Sequence, residues 1–174
     1  VWNGVVDPRP ARAEPPRELS VILVGGAAAE PVGCNHSLRG GDFMPETMAV
    51  RPGTALRIEN RDGCSHELHA EDIPDFLPLA TSPGNTRDIS VPAGGPYHIS
   101  DRLYAHVRGV VHAVDDLAAC AAVGDDGSFV FDGVPAGTYT LQVLRGEEVA
   151  HQAEVSVSEG EPLTIDPIAV GAAN

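Results

Sequence analysis

The hydrophobic and polar positions of this chain alternate in short runs cut by turn residues. Val21-Ile22-Leu23-Val24 is a continuous apolar run of the kind that forms a buried strand. Leu56 and Ile58 alternate with Arg57 and Glu59 after a turn at Arg51-Pro52-Gly53, which predicts a half-buried strand between Ala49 and Asn60. The same period of two recurs at Ile89 and Val91, at Tyr97-His98-Ile99, and through Val107 to Val114. In the last third, Phe129 and Phe131 alternate before a turn at Pro135-Ala136-Gly137. Tyr139, Leu141 and Val143 then share one face, Ala153, Val155 and Val157 repeat the pattern, and Ile165 with Ile168 closes the set. No stretch carries a capped helical period. The pattern therefore predicts an all-β protein built from short strands, as in a sandwich or barrel.

Composition agrees with this. Gly and Pro supply 19 and 15 of the 174 residues, which suits many turns. The longest purely apolar run is far too short to span a membrane. Charge changes the functional picture more: 25 acids face 11 bases, every base is Arg, and the net charge is −14. Such a chain repels nucleic acid and anionic lipid at long range, so neither is expected as a partner. Residues 1–114 hold 14 acids and 10 Arg (net −4), and residues 115–174 hold 11 acids and Arg145 alone (net −10). The step supports a boundary near Asp115. Three parts are expected: a Pro-rich extended arm over 1–18, a first β-domain over 19–114, and a second over 115–174.

Three segments carry candidate chemistry. Asn60-Arg61-Asp62-Gly63-Cys64-Ser65-His66 ends a strand in a short loop that delivers a His. Upstream stand Phe43, Pro45 and the run Met48 to Ile58. Together they resemble the segment leading to the first copper ligand of the cupredoxins, the plastocyanin and azurin group. That resemblance implies a Greek-key sandwich, copper as cofactor, and a second ligand loop falling on Tyr97 to Val111. There the chain has Asp101 at the thiolate position, Tyr104 near the second His and Val107 near the Met. Of the four ligands only His66 is present, and a blue-copper centre depends on its thiolate. A different set of His66, Asp101 and His106 would suit iron, zinc or copper(II) if the three converged, the alternative being a loop His and a turn Asp.

Cys34-Asn35-His36 and Cys64-Ser65-His66 repeat a C-x-H spacing. Three readings stand open: a Cys34–Cys64 disulfide, free thiols, or a Cys2His2 metal centre. Cys120, within the small-residue stretch Ala118 to Val123, is expected to pack as a small hydrophobe.

The third segment, Asp125-Asp126-Gly127-Ser128-Phe129-Val130-Phe131 through Tyr139-Thr140-Leu141, resembles the carboxypeptidase regulatory-like, transthyretin-like module. The resemblance implies a second, smaller β-sandwich without catalytic residues. Its acidic pairs Asp115/Asp116 and Asp125/Asp126 read as solvated turn acids or as calcium ligands. Val91-Pro92-Ala93-Gly94 before Tyr97 echoes Val134-Pro135-Ala136-Gly137 before Tyr139, the same turn chemistry used twice.

A cupredoxin-like domain followed by such a module is similar to the periplasmic methylamine-utilization, plastocyanin-like proteins. No catalytic motif is recognisable, so the chain is not expected to be an enzyme. The expectation is a periplasmic or extracellular structural or interaction subunit whose signal peptide has been removed. Its contacts with a protein partner or with further copies would run through the arm or exposed strand edges. The alternative is a copper-binding or electron-transfer protein with a non-blue site around His66.

Overall fold

The computed structural model describes residues 18–26, 30–160 and 163–170. The expected arm lies almost wholly outside these residues. Among them the fold is all-β, with no helix.

The first strand of the described residues is β1 (Leu19–Val24), after which the chain builds a two-sheet sandwich. One sheet holds β2 (His36–Leu38), β3 (Phe43–Met44), β5 (Ala55–Asn60) and β8 (Thr86–Ser90) in the order β3-β2-β5-β8. The other holds β4 (Thr47–Val50), β6 (His66–His69), β7 (Leu79–Thr81), β9 (Tyr97–Asp101) and β10 (Arg108–Ala113) in the order β4-β10-β9-β6-β7. Each sheet contains one parallel pair, β2 with β5 and β4 with β10. The alternation read from the sequence holds: Leu56 and Ile58 point into the core at 1% and 0% exposure, between exposed Ala55 and Arg57. Facing them across the sandwich are Leu68, Ile99 and Val111, all buried, and Phe43 and Met48 complete a continuous core.

The last part is a third sheet, formed by β11 (Leu117–Ala122), β12 (Gly137–Arg145) and β13 (Glu148–Val157), with β1 inserted in the order β11-β1-β12-β13. The boundary expected at residue 19 therefore moves. β1 pairs antiparallel with both β11 and β12, and the sandwich of residues 36–113 is an insertion between two neighbouring strands of this outer sheet. Periodicity cannot reveal that, because it marks a strand without naming its partner.

The pairing also explains why β1 is apolar on both sides. Ile22 packs with Ala49, Leu117 and Leu144 against the sandwich. Val21 and Leu23 face the other way, with Ala118, Tyr139, Leu141 and Val143. That far face is covered by residues 124–136 and 163–170, neither of which joins a sheet. The strands expected at Phe129–Phe131 and Ile165–Ile168 do not form, and no described strand pairs with either segment.

Polar contacts fix the two parts to each other. Thr47 donates its hydroxyl to the Glu18 carbonyl (2.5 Å) and accepts the Gly146 amide (2.8 Å). His112 Nε2 donates to the Gly146 carbonyl (2.7 Å), and Arg51 Nε donates to that of Leu117 (2.9 Å). His98 bridges Asp72 in the sandwich and Glu147 in the β12–β13 turn, at 3.3 and 2.8 Å.

The disulfide joins Cys34 to Cys120, not to Cys64. Val32 runs parallel to β11, donating to the Ala118 carbonyl and accepting from the Cys120 amide, which brings Cys34 to Cys120 with Cα atoms 4.7 Å apart. Gly33, at φ +74°, makes the approach possible, since a Cβ there would lie 2.4 Å from the Cys120 carbonyl oxygen. Cys120 is therefore a half-cystine rather than a free small hydrophobe, and Cys64 is an exposed free thiol. With Cys34 so engaged, no Cys2His2 centre forms.

The repeated turn chemistry has a structural counterpart. Tyr97 donates its hydroxyl to the Ala93 carbonyl (2.8 Å), and Tyr139 does the same to Pro135 (2.9 Å), each four residues upstream. The two turns are closed alike in two unrelated sheets.

Candidate functional site

The site is the end of the sandwich where β5, β6 and β9 meet the loop after β2. Asn60, fully buried at the end of β5, organises it. Its side-chain NH2 donates to the carbonyls of Cys64 and Thr81, both at 2.8 Å, and its Oδ1 accepts the Asp62 amide at 2.9 Å. The turn so closed brings both Asp62 and Cys64 to Nε2 of His66, the first residue of β6. The Asp62 carboxylate accepts the amides of Gly40 and Gly41 at 2.5 and 3.0 Å, which ties the β2–β3 turn to the cluster.

His66 is 1% exposed, and both its ring nitrogens face carboxylates. Nδ1 lies 2.5 Å from Asp101 Oδ2, and Nε2 lies 3.1 Å from Asp62 Oδ2. Asp101 is itself 3% exposed. Its other oxygen accepts the backbone amides of Glu67 (3.3 Å), Leu103 (2.7 Å) and Tyr104 (3.3 Å). The result is a line Asp62–His66–Asp101 in which every side chain has partners from its own chain. Burying charge is tolerable only on those terms.

Cys64 and Tyr104 stand at the mouth. Cys64 Sγ is 3.7 Å from His66 Nε2. The Tyr104 ring centroid lies 5.3 Å from that of His66. Its phenol pKa is raised, first by its interaction with Cys64, then by loss of solvent and by the Asp101 carboxylate. Cys64, His66 and Asp101 thus sit in the order of a nucleophile, base and orienting acid. Asp62, however, is nearer to Nε2 than the sulfur is, and it draws that ring position away from the thiol.

The expected metal set of His66, Asp101 and His106 does not converge. His66 and Asp101 meet directly, but His106 is exposed, with its ring 6.2 Å from that of Tyr104. The reason is local. Val107, fully buried, donates its amide to the Tyr104 carbonyl (2.9 Å), and this tight turn throws residues 105 and 106 outward. Among the described residues, no group of three or more His, Cys, Asp or Glu side chains is disposed to hold a metal ion. Asp62 takes the third place instead. Sequence reasoning passed over it, although its position two residues before Cys64 and four before His66 was the available signal.

The copper that the sequence resemblance implies does not fit these donors. A type 1 centre takes a thiolate, two imidazoles and a weak axial ligand. Here the nitrogen of His66 nearest the second loop is held by Asp101, Val107 offers no donor, and Met48 is sealed in the core.

No family model matches the chain, and no curated protein matches it. Solved structures do. The chain is similar to the purple cupredoxin from Nitrosopumilus maritimus, at 16% identity over 46% of this chain and 98% of that one, with a TM-score of 0.42. It is similar to amicyanin from Paracoccus versutus, at 15% identity over 55% and 97%, with a TM-score of 0.41. The copper-containing nitrite reductase from Thermus scotoductus matches at 22% identity over 60% of this chain and 26% of that one, with a TM-score of 0.39. Values this low assign neither a family nor a function.

Proposed function

We propose that this protein is a non-catalytic β-sandwich subunit of the periplasm or the extracellular space that acts by binding another protein. The observation that carries the reading is the closed line Asp62–His66–Asp101. The groups best suited to hold a metal or to activate a nucleophile are engaged with one another, at 3.1 and 2.5 Å. The disulfide supports an oxidising compartment. Among the described residues no helix is long and apolar enough to cross a membrane. The outer edge of β13, which no other described strand pairs, and the acidic outer sheet supply surfaces for a protein partner.

Two measurements test this. The full chain is incubated with Cu(II), and with Cu(I) under reductant, then passed through a desalting column. No stoichiometric copper and no copper–thiolate absorption band are expected. One retained copper per chain, lost in His66→Ala, would overturn the metal-free reading. Cross-linking in the source cells is expected to yield a species heavier than the monomer, and a monomer under every condition would overturn the interaction reading.

A further inference from the structure

A sheet with an apolar face needs a second layer to bury it. The sandwich side of the outer sheet has one, and the far side is covered by two segments outside any strand, closely enough that Val21, Leu23, Leu141 and Val143 are only 1–3% exposed, while the covering side chains themselves stay partly open. Over Val21, Leu23, Leu141 and Val143 lie residues 124–136 and 163–170, and between sheet and cover runs a cleft of about 1060 Å³. That is above the usual range for a small-ligand pocket, about 300–1,000 Å³. Its rim exposes Val130 at 70% and Leu163 at 52%, and the Phe129 and Phe131 rings meet edge-on at 5.9 Å while only half-buried. Both covering segments are backbone without ladder partners.

The charge at the rim has one sign. Asp126, Asp132 and Asp166 line the cleft, and no described lining residue is basic. Asp126 is held below the usual carboxylate range by the hydroxyl and amide of Ser128, so it is charged at neutral pH. An anionic ligand is repelled, and a neutral one leaves the three carboxylates uncompensated. A second copy of this chain carries a net charge of −14, which disfavours self-docking at an acidic rim.

We propose that this cleft receives an extended peptide segment of a partner protein, with apolar side chains alternating with Arg or Lys. Alternate side chains enter the cleft, the basic ones meet the three rim carboxylates, and the peptide backbone pairs with the covering segments by strand addition. The inference rests on the interaction reading above and names the surface and the kind of partner.

The test uses the full chain and a short fluorescent peptide that alternates Val with Arg, read by anisotropy. Saturable binding is expected, weakened about tenfold or more when Glu replaces Arg in the peptide. Val130→Ser with Leu163→Ser, both exposed and safe for folding, is expected to weaken the Val/Arg peptide about tenfold. Asp132→Arg with Asp166→Arg is expected to reverse the preference toward the Val/Glu peptide. Absence of saturable binding would overturn the proposal. So would binding unaffected by the Ser pair, since that is non-specific attraction to an acidic protein. Equal occupancy by a long-chain alkylammonium alone, or a dimer abolished by Leu163→Arg, would also overturn it in favour of a small amphiphile or a second copy. If the peptide fails while the cross-linked species persists, the cleft proposal falls and the interaction reading stands.

Discussion

The inserted sandwich and the outer sheet use the same strand chemistry and finish it differently. The sandwich closes every surface it creates. Its core residues are almost all below 10% exposure, and its one buried charged cluster has partners on both sides of His66. The outer sheet buries its central side chains on both faces, but the layer over its far face is itself only half-buried. Val155, Val157, Ile165 and Ile168 remain half-buried beside a cleft. Sequence alternation alone does not make a sandwich. Each strand also needs a neighbour at ladder distance, and among the described residues Phe129–Phe131 and Ile165–Ile168 have none.

The largest effect that would break this contrast is the removal of His66. His66→Ala leaves Asp62 and Asp101 facing a hole without their shared partner, and we expect a loss of about 3–5 kcal/mol in urea unfolding. A loss below about 1 kcal/mol, the value of an exposed pair, would mean that the cluster is solvated and the end of the sandwich is open.

Acid gives a second, slightly smaller test. Burial lowers His36, at the start of β2, from 6.5 to about 4. Its folded pKa lies below its unfolded one, so its neutral form is fully compatible with folding above 6.5, and stability falls as pH drops from 6.5 towards 4. The full size is about 3 kcal/mol. His36→Leu should flatten that part of the stability curve, and an unchanged slope would refute the assignment. His98, at the joint between the two regions, has the opposite sign. Hydrogen bonds to Glu147 first and Asp72 second raise its pKa. Its contribution is complete below its unfolded value and is lost as pH rises through the higher folded one. Half-exposed, it should add only a shallow slope, which His98→Ala removes.

The smallest effect lies in the cover of the outer sheet. Ile168→Ala should cost under about 1 kcal/mol, because a half-buried side chain beside a cleft loses little on truncation, whereas a fully buried Ile such as Ile58 should cost about 2–5 kcal/mol. Equal losses at the two positions would place Ile168 in a packed core.

Most strands were legible because each has one buried and one wet face, and alternation records that directly. Partners were not legible. β1 reads as an ordinary opening strand, yet its two apolar sides, Ile22 against Val21 and Leu23, belong to the centre of a sheet closed by residues more than 90 positions later. The disulfide was missed for the same reason, since Cys34 reaches Cys120 through the bridge of Val32 to Ala119. At the site, the meeting of His66 with Asp101 was contained in the expected set. The outward turn at residues 105 and 106, set by one backbone hydrogen bond of Val107, left no trace in residue type.

Amide hydrogen exchange on the full chain, resolved by segment, tests the contrast most directly. The account predicts that His66–His69 and Tyr97–Asp101 exchange slowest, by global unfolding, and that residues 128–134 and 163–170 exchange fastest of the described non-terminal segments. Comparable protection in the two covering segments and in the sandwich strands would contradict it.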